Sequence, residues 1–148
     1  MKQFVVDASV GFKWIIPSVY EPLREEAMRL TELRSGGLME FVVPDFFWIE
    51  LGNALWKAAR SKRITTIEFD ESRKFLQSTD IPSFPSWQLL PSALLIATEF
   101  DRSVYDSLYI ALAKDSSCQL ITADEKLANA VALKLPVVWL GSDFALSS

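Results

Sequence analysis

The chain contains no histidine and a single cysteine, Cys118. The first absence excludes a histidine acid–base pair, a Ser-His-Asp triad and a histidine zinc site. The second excludes an internal disulfide and a cysteine zinc cluster. Cys118, with no histidine to activate it, reads as a small buried hydrophobe. Glycine is scarce too: Gly11, Gly36, Gly37, Gly52 and Gly141 form neither a Walker A loop nor a G-x-G-x-x-G turn. No apolar run reaches about 18 residues, which argues against a membrane-spanning helix. The amino end has one lysine, then strand-like residues and an early aspartate, unlike a signal peptide. The cytoplasm is the expected compartment.

What remains is ordinary globular material. A chain of 148 residues is long enough to bury one core unaided. It shows no repeat, low-complexity stretch or linker, so residues 1–148 are expected to form a single domain. Fifteen basic against nineteen acidic residues give a net charge of −4, which by its sum counts against phosphate binding. The basic residues cluster, however: Lys57, Arg60, Lys62 and Arg63 lie close together, with Arg73 and Lys74 beyond. Two readings stand: a solvated helix end, where cations suit the helix dipole, or contact with substrate phosphate.

Along the chain, strands and helices alternate. Lys2–Val6 reads as a buried strand, Ser9–Ile16 as a short helix stopped before Pro17, and Glu21–Arg34 as a helix ended by Gly36 and Gly37. A short strand at Phe41–Val43 leads into a helix that starts at Pro44 and Asp45 and runs to about Ser61, with Asp45 as N-cap. Thr66–Thr79 is helical, and the proline-bearing Ile81–Trp87 has room only for a short edge strand. Helices follow over Leu89–Phe100 and from near Ser103 to about Asp115. The strand Gln119–Thr122, the helix Asp124–Leu133 and the strand Val137–Leu140 complete the chain. This alternation predicts an α/β fold, a three-layer α/β/α sandwich around a central, mostly parallel sheet.

Four acids stand out on that map. Asp7 ends the run Phe4-Val5-Val6, and Asp124 follows Gln119-Leu120-Ile121-Thr122. Both fall past the carboxyl end of a strand, where open parallel sheets gather functional groups. Asp106 opens the apolar segment Ser107–Ala113, and Glu50 is the only charge between Phe46 and Trp56, with Asn53 on its helix face. Plainer roles exist. Asp106 and Asp124 both suit a helix N-terminus, the latter with Thr122 capping and Glu125 closing the box. Asp7 has such a role only if it caps the helix from Ser9. Glu50 is hardest to place otherwise, because an unpaired carboxylate among Phe47, Trp48, Ile49, Leu51 and Leu55 is costly to bury.

Converging carboxylates repel, and one stays protonated unless a cation intervenes. A hard divalent ion, Mg²⁺ or Mn²⁺, takes oxygen ligands and resolves the conflict. Such an ion acidifies a bound water, orients it toward phosphorus and neutralises transition-state charge. The predicted chemistry is therefore phosphodiester hydrolysis. Trp14 reads either as a core residue or as a stacking platform for a base.

These residues carry a family resemblance. Val5-Val6-Asp7-Ala8-Ser9-Val10-Gly11-Phe12-Lys13-Trp14 resembles the opening motif of PIN-domain ribonucleases. Pro44–Thr65, with Glu50 and Asn53-Ala54-Leu55, resembles the second block of that family. Tyr105–Ala113 resembles the third and Leu120–Leu127 the fourth. In size and motif the chain is most similar to the VapC toxins of prokaryotic VapBC toxin–antitoxin pairs. The resemblance implies a Mg²⁺- or Mn²⁺-dependent endoribonuclease acting on RNA, usually a homodimer. It also implies a small VapB-like antitoxin that binds promoter DNA, so that DNA contact is indirect. By the same resemblance Asp7, Glu50, Asp106 and Asp124 form the catalytic, metal-binding quartet, with Ser9 and Thr122 supporting it.

Three rivals use similar parts. A receiver-like phosphoacceptor domain needs an early acid pair, which Asp7-Ala8-Ser9 lacks. A haloacid-type phosphatase needs a second aspartate where Ser9 stands. A catalytically weak PIN-like scaffold or RNA-binding protein would not need the full quartet.

Overall fold

Short apolar runs rich in Phe, Val and Ile build the sheet. β1 (Lys2–Val6) buries Phe4, Val5 and Val6, and β4 (Gln119–Thr122) buries Leu120 and Ile121. With β2 (Met39–Pro44), β3 (Ser83–Phe84) and β5 (Val137–Trp139) they form a five-stranded sheet in the order β3-β2-β1-β4-β5. Every pairing is parallel, which explains the continuous apolar runs, since such sheets are covered on both faces. The chain is represented by a computed structural model that describes residues 1–16 and 21–143.

Seven helices among the described residues make the outer layers. α1 (Ala8–Ile15) and α2 (Arg24–Ser35) connect β1 to β2, and α3 (Phe46–Arg60) and α4 (Thr66–Ser78) connect β2 to β3. α5 (Ser86–Phe100) and α6 (Val104–Asp115) lead back to β4, and α7 (Glu125–Val131) leads to β5. Right-handed crossovers put α1–α4 on one face and α5–α7 on the other. The packing agrees: α1 lies against α2, α3 and α4, whereas α6 covers β1, β2 and β4 and is itself covered by α5. Ser107 to Ala113 are all buried, as a helix held between a sheet and a second helix requires. No described helix is long and apolar enough to cross a membrane.

The three-layer α/β/α architecture matches the expectation from sequence, and several boundaries move. α2 begins at Arg24, because Glu21 is engaged elsewhere and Leu23 enters the helix in a left-handed conformation with φ 59°. α5 begins at Ser86, ahead of Leu89. α1 ends at Ile15, and the expected stop at Pro17 lies outside the described residues. Asp45 occupies the N-cap position of α3 but makes no capping bond there. Its Oδ1 accepts from the backbone N–H of Ser86 at 3.0 Å, while Ser86 Oγ accepts from the N–H of Phe46 at 3.0 Å. The two segments thus cap each other across the sheet edge.

Candidate active site

β1 is the point from which the chain winds outward both ways, to β2 and β3 on one side and β4 and β5 on the other. The crevice at the carboxyl ends of β1 and β4 is therefore the topological switch point, where ligands of open α/β sheets bind. Val6 pairs with Ile121 across these strands, and Asp7 N–H continues the contact to the Ile121 carbonyl at 3.3 Å. Asp7 and the segment Thr122–Asp124 thus leave the sheet side by side.

Asp7 does cap α1. Its Oδ1 accepts from Ser9 N–H at 3.1 Å and also from the Ser9 hydroxyl. Ser9 Oγ in turn accepts from Ala123 N–H at 2.9 Å and lies 3.5 Å from Thr122 Oγ1. Thr122 Oγ1 accepts from Asp124 N–H at 3.0 Å. One small hydroxyl network therefore ties the two strand ends together. Thr122 does not cap α7 itself; Asp124 does, its Oδ1 accepting from Leu127 N–H at 3.1 Å.

Asp7 is 6% exposed. Burial pushes its pKa up to about 6; the Ser9 and Thr122 hydrogen bonds resist this, and the charge of Asp106 adds to it. Asp106 stands in the first turn of α6, whose N-cap Ser103 Oγ accepts its backbone N–H at 3.0 Å. Burial raises the Asp106 pKa, as does the charge of Asp124, while Ser103 and Arg102 lower it. Glu50, half-buried on α3, accepts a 2.6 Å hydrogen bond from the Tyr109 hydroxyl at Oε1. Burial again raises its pKa, with Asp106 adding to the rise against the Tyr109 bond. Tyr109, buried beside this carboxylate, is driven far upward and stays a neutral donor.

Asp106 is therefore the electrostatic hub, felt by or feeling the other three acids. None of the four forms an ion pair with a described lysine or arginine. As the side chains lie, no three acids among the described residues are grouped closely enough to hold an ion together. The donor chemistry still suits a hard cation: all four supply oxygen, Asp7 is buried without a countercharge, and Mg²⁺ commonly takes one or two carboxylates and completes its shell with water.

Beside these acids lies an open depression of about 480 Å³, lined by Ser9, Glu50, Asp124, Asn53, Lys57 and Lys13 among others. Sequence reasoning missed the roles of Tyr109 and Glu21. Tyr109 had a signal, since it follows Asp106 by one helical turn. Lys13 and Arg63 both bind Glu21, Lys13 at 2.9 Å, and nothing local to the sequence marks that pairing. Burial raises the Glu21 pKa, but the hydrogen bonds and charges of Lys13 and Arg63 outweigh it and leave the group below its ordinary range.

The basic cluster disperses. Arg63 serves Glu21 and lies over the Phe12 ring at 5.2 Å, Arg60 lies over Trp56 at 5.3 Å, and Lys57 alone of the group reaches the depression. Trp14 is no base platform: its Nε1–H donates to the Ala27 carbonyl at 2.8 Å and its ring stacks on Phe41. Cys118 is half-buried, short of full burial. Ile49 and Trp56 are exposed, so the surroundings of Glu50 are less enclosed than their composition suggests.

Comparison with known proteins gives the family and agrees with the fold. The family model of the PIN domain matches residues 4–133. Ribonuclease VapC3 of Pyrobaculum aerophilum is 30% identical over 131 residues, spanning 86% of this chain and 93% of that protein. The crystal structure of PAE2754, also from Pyrobaculum aerophilum, superposes with a TM-score of 0.62 at 22% identity, covering 94% of this chain and 91% of that one. At that identity the likeness speaks for the fold. The family match runs from within β1 past the end of α7 and so takes in the whole switch-point rim; on that extent the chain belongs to the PIN domain family.

Proposed function

We propose that the protein is a divalent-metal-dependent endoribonuclease, the toxin of a type II toxin–antitoxin pair, working in the cytoplasm as a homodimer restrained by a VapB-like antitoxin. The observation that carries this reading is Asp7, a buried carboxylate with no lysine or arginine partner among the described residues, at the switch point beside Asp106 and Asp124. The similarity to a ribonuclease of the VapC group supports the substrate class.

Asp7, Asp106 and Asp124 would hold Mg²⁺ or Mn²⁺, and Glu50 either joins them or orients the attacking water. Such an ion, when bound, acidifies a water and offsets negative charge on the phosphodiester. The chain's own residues set the rest. Ser9 and Thr122 fix the two strand ends from which Asp7 and Asp124 project. Tyr109 holds one Glu50 oxygen, leaving the other to accept a hydrogen bond from water. The elevated Glu50 pKa suits it to take and return a proton.

The test is cleavage of total RNA by purified protein with Mg²⁺ or Mn²⁺, after chelation, and with Asp7→Asn. Cutting should vanish in the last two cases while the circular dichroism spectrum is retained. Undiminished cutting by chelated protein would refute the reading. For the toxin role, the wild type should arrest growth of a host lacking the antitoxin and Asp7→Asn should not.

A further inference from the structure

We infer that Lys57, with Asn53 beside it, forms a subsite for the phosphate flanking the scissile one, on single-stranded RNA. The inference rests on the nuclease reading and deepens it. Glu50, Asn53 and Lys57 follow at intervals of three and four residues and so share one face of α3. All three line the depression that opens beside Asp124 and Ser9. Lys57 stands seven residues beyond Glu50, about 10 Å along the axis. That distance places it outside the reacting centre and in line with it.

Charge singles out Lys57. The other lysine of the depression, Lys13, is buried and held by Glu21. Arg63 is bound to the same carboxylate, and Arg60 is turned to Trp56. Lys57 makes no ion pair among the described residues and is exposed. With Glu21 offset by Lys13 and Arg63, the carboxylates of the wall that repel a polyanion are Glu50 and Asp124, so the cation beside them decides where the backbone enters. Asn53, exposed one turn before it, adds a neutral amide able to donate and accept at a ribose or base edge.

The experiment uses the full chain carrying Asp7→Asn, with Mg²⁺ present, and a labelled single-stranded oligoribonucleotide of mixed sequence, followed by anisotropy over a series of KCl concentrations. Adding Lys57→Gln should weaken binding and reduce the slope of log affinity against log salt by about 0.7, the share of one phosphate contact on a single strand. Lys57→Arg should restore the slope. Asn53→Ala should weaken binding with the slope unchanged. In the Asp7 background, an unaltered slope with Lys57→Gln overturns the subsite while leaving the nuclease reading intact. No binding by the Asp7→Asn parent overturns both. In active protein the same Lys57→Gln change should raise KM and spare kcat, a division that a merely structural lysine would not produce.

Discussion

Asp7 answers two demands that pull in opposite directions. Its hydroxyl network fixes it as a cap, and its burial raises its pKa from 3.8 to about 6. An aspartate with a higher pKa in the folded state binds extra protons there between those two values, so its contribution to stability falls as pH rises through that window. Above it, the charged group costs metal-free protein on the order of 2–3 kcal/mol. Asp7→Asn keeps an N-cap acceptor and should raise the melting temperature of chelated protein at pH 7.5, with the gain shrinking toward pH 4. Calorimetry at both pH values checks this, and an unchanged midpoint at pH 7.5 counts against it. Glu21 has the reverse sign: its pKa is lowered, so its stabilisation is present at neutral pH and is lost on acidification. Asp7 stood out in the sequence because it directly follows an apolar strand, with a cap on the next helix as its plainer role, whereas Ser9 was singled out only by the family resemblance. The Tyr109–Glu50 bond was not legible there, since its partners are 59 positions apart.

At the scale of elements, the site depends on how closely α3 approaches α1. A Cβ added at Gly11 would meet Phe47 Cζ at 2.7 Å, and Phe47 is fully buried. Glycine therefore sets the separation that brings Glu50 to the rim where Ser9 stands. Gly11→Ala should destabilise the protein by about 1–3 kcal/mol through overpacking, measured by urea unfolding, and should reduce cleavage more than stability alone explains. Full activity in the folded variant would show that the spacing is not critical. Two helix starts carry recognisable side-chain caps: Thr65 and Glu68 form the reciprocal box, and Ser103 caps α6. Asp45 misled because its partner Ser86 is 41 residues away, and a capping residue cannot announce that a distant N–H will claim its oxygen.

For the molecule as a whole, α5 is the outermost helix of its layer and carries an uncovered apolar stripe. Trp87 is 81% and Leu95 73% exposed, with Pro91 and Leu94 exposed between them, a spacing that places them on one helix face. The proposed homodimer would bury this face. Light scattering should give twice the chain mass for the wild type and the single-chain mass for Leu95→Glu; a monomeric wild type would remove the dimer from the proposal. The chain by itself determined the α/β class, the exclusion of histidine-based chemistry, and which acids could be read as a candidate site. Those are local properties, carried by composition, periodicity and immediate neighbours. Only the tertiary structure decided that β1 and β4 adjoin, which makes their ends a switch point. It alone also gave Glu21 to Lys13 and Arg63, and left Lys57 beside the acids with no ion pair among the described residues. Strand order and ion pairing join residues far apart in sequence, and their energies depend on distance and burial that no short window of the chain contains.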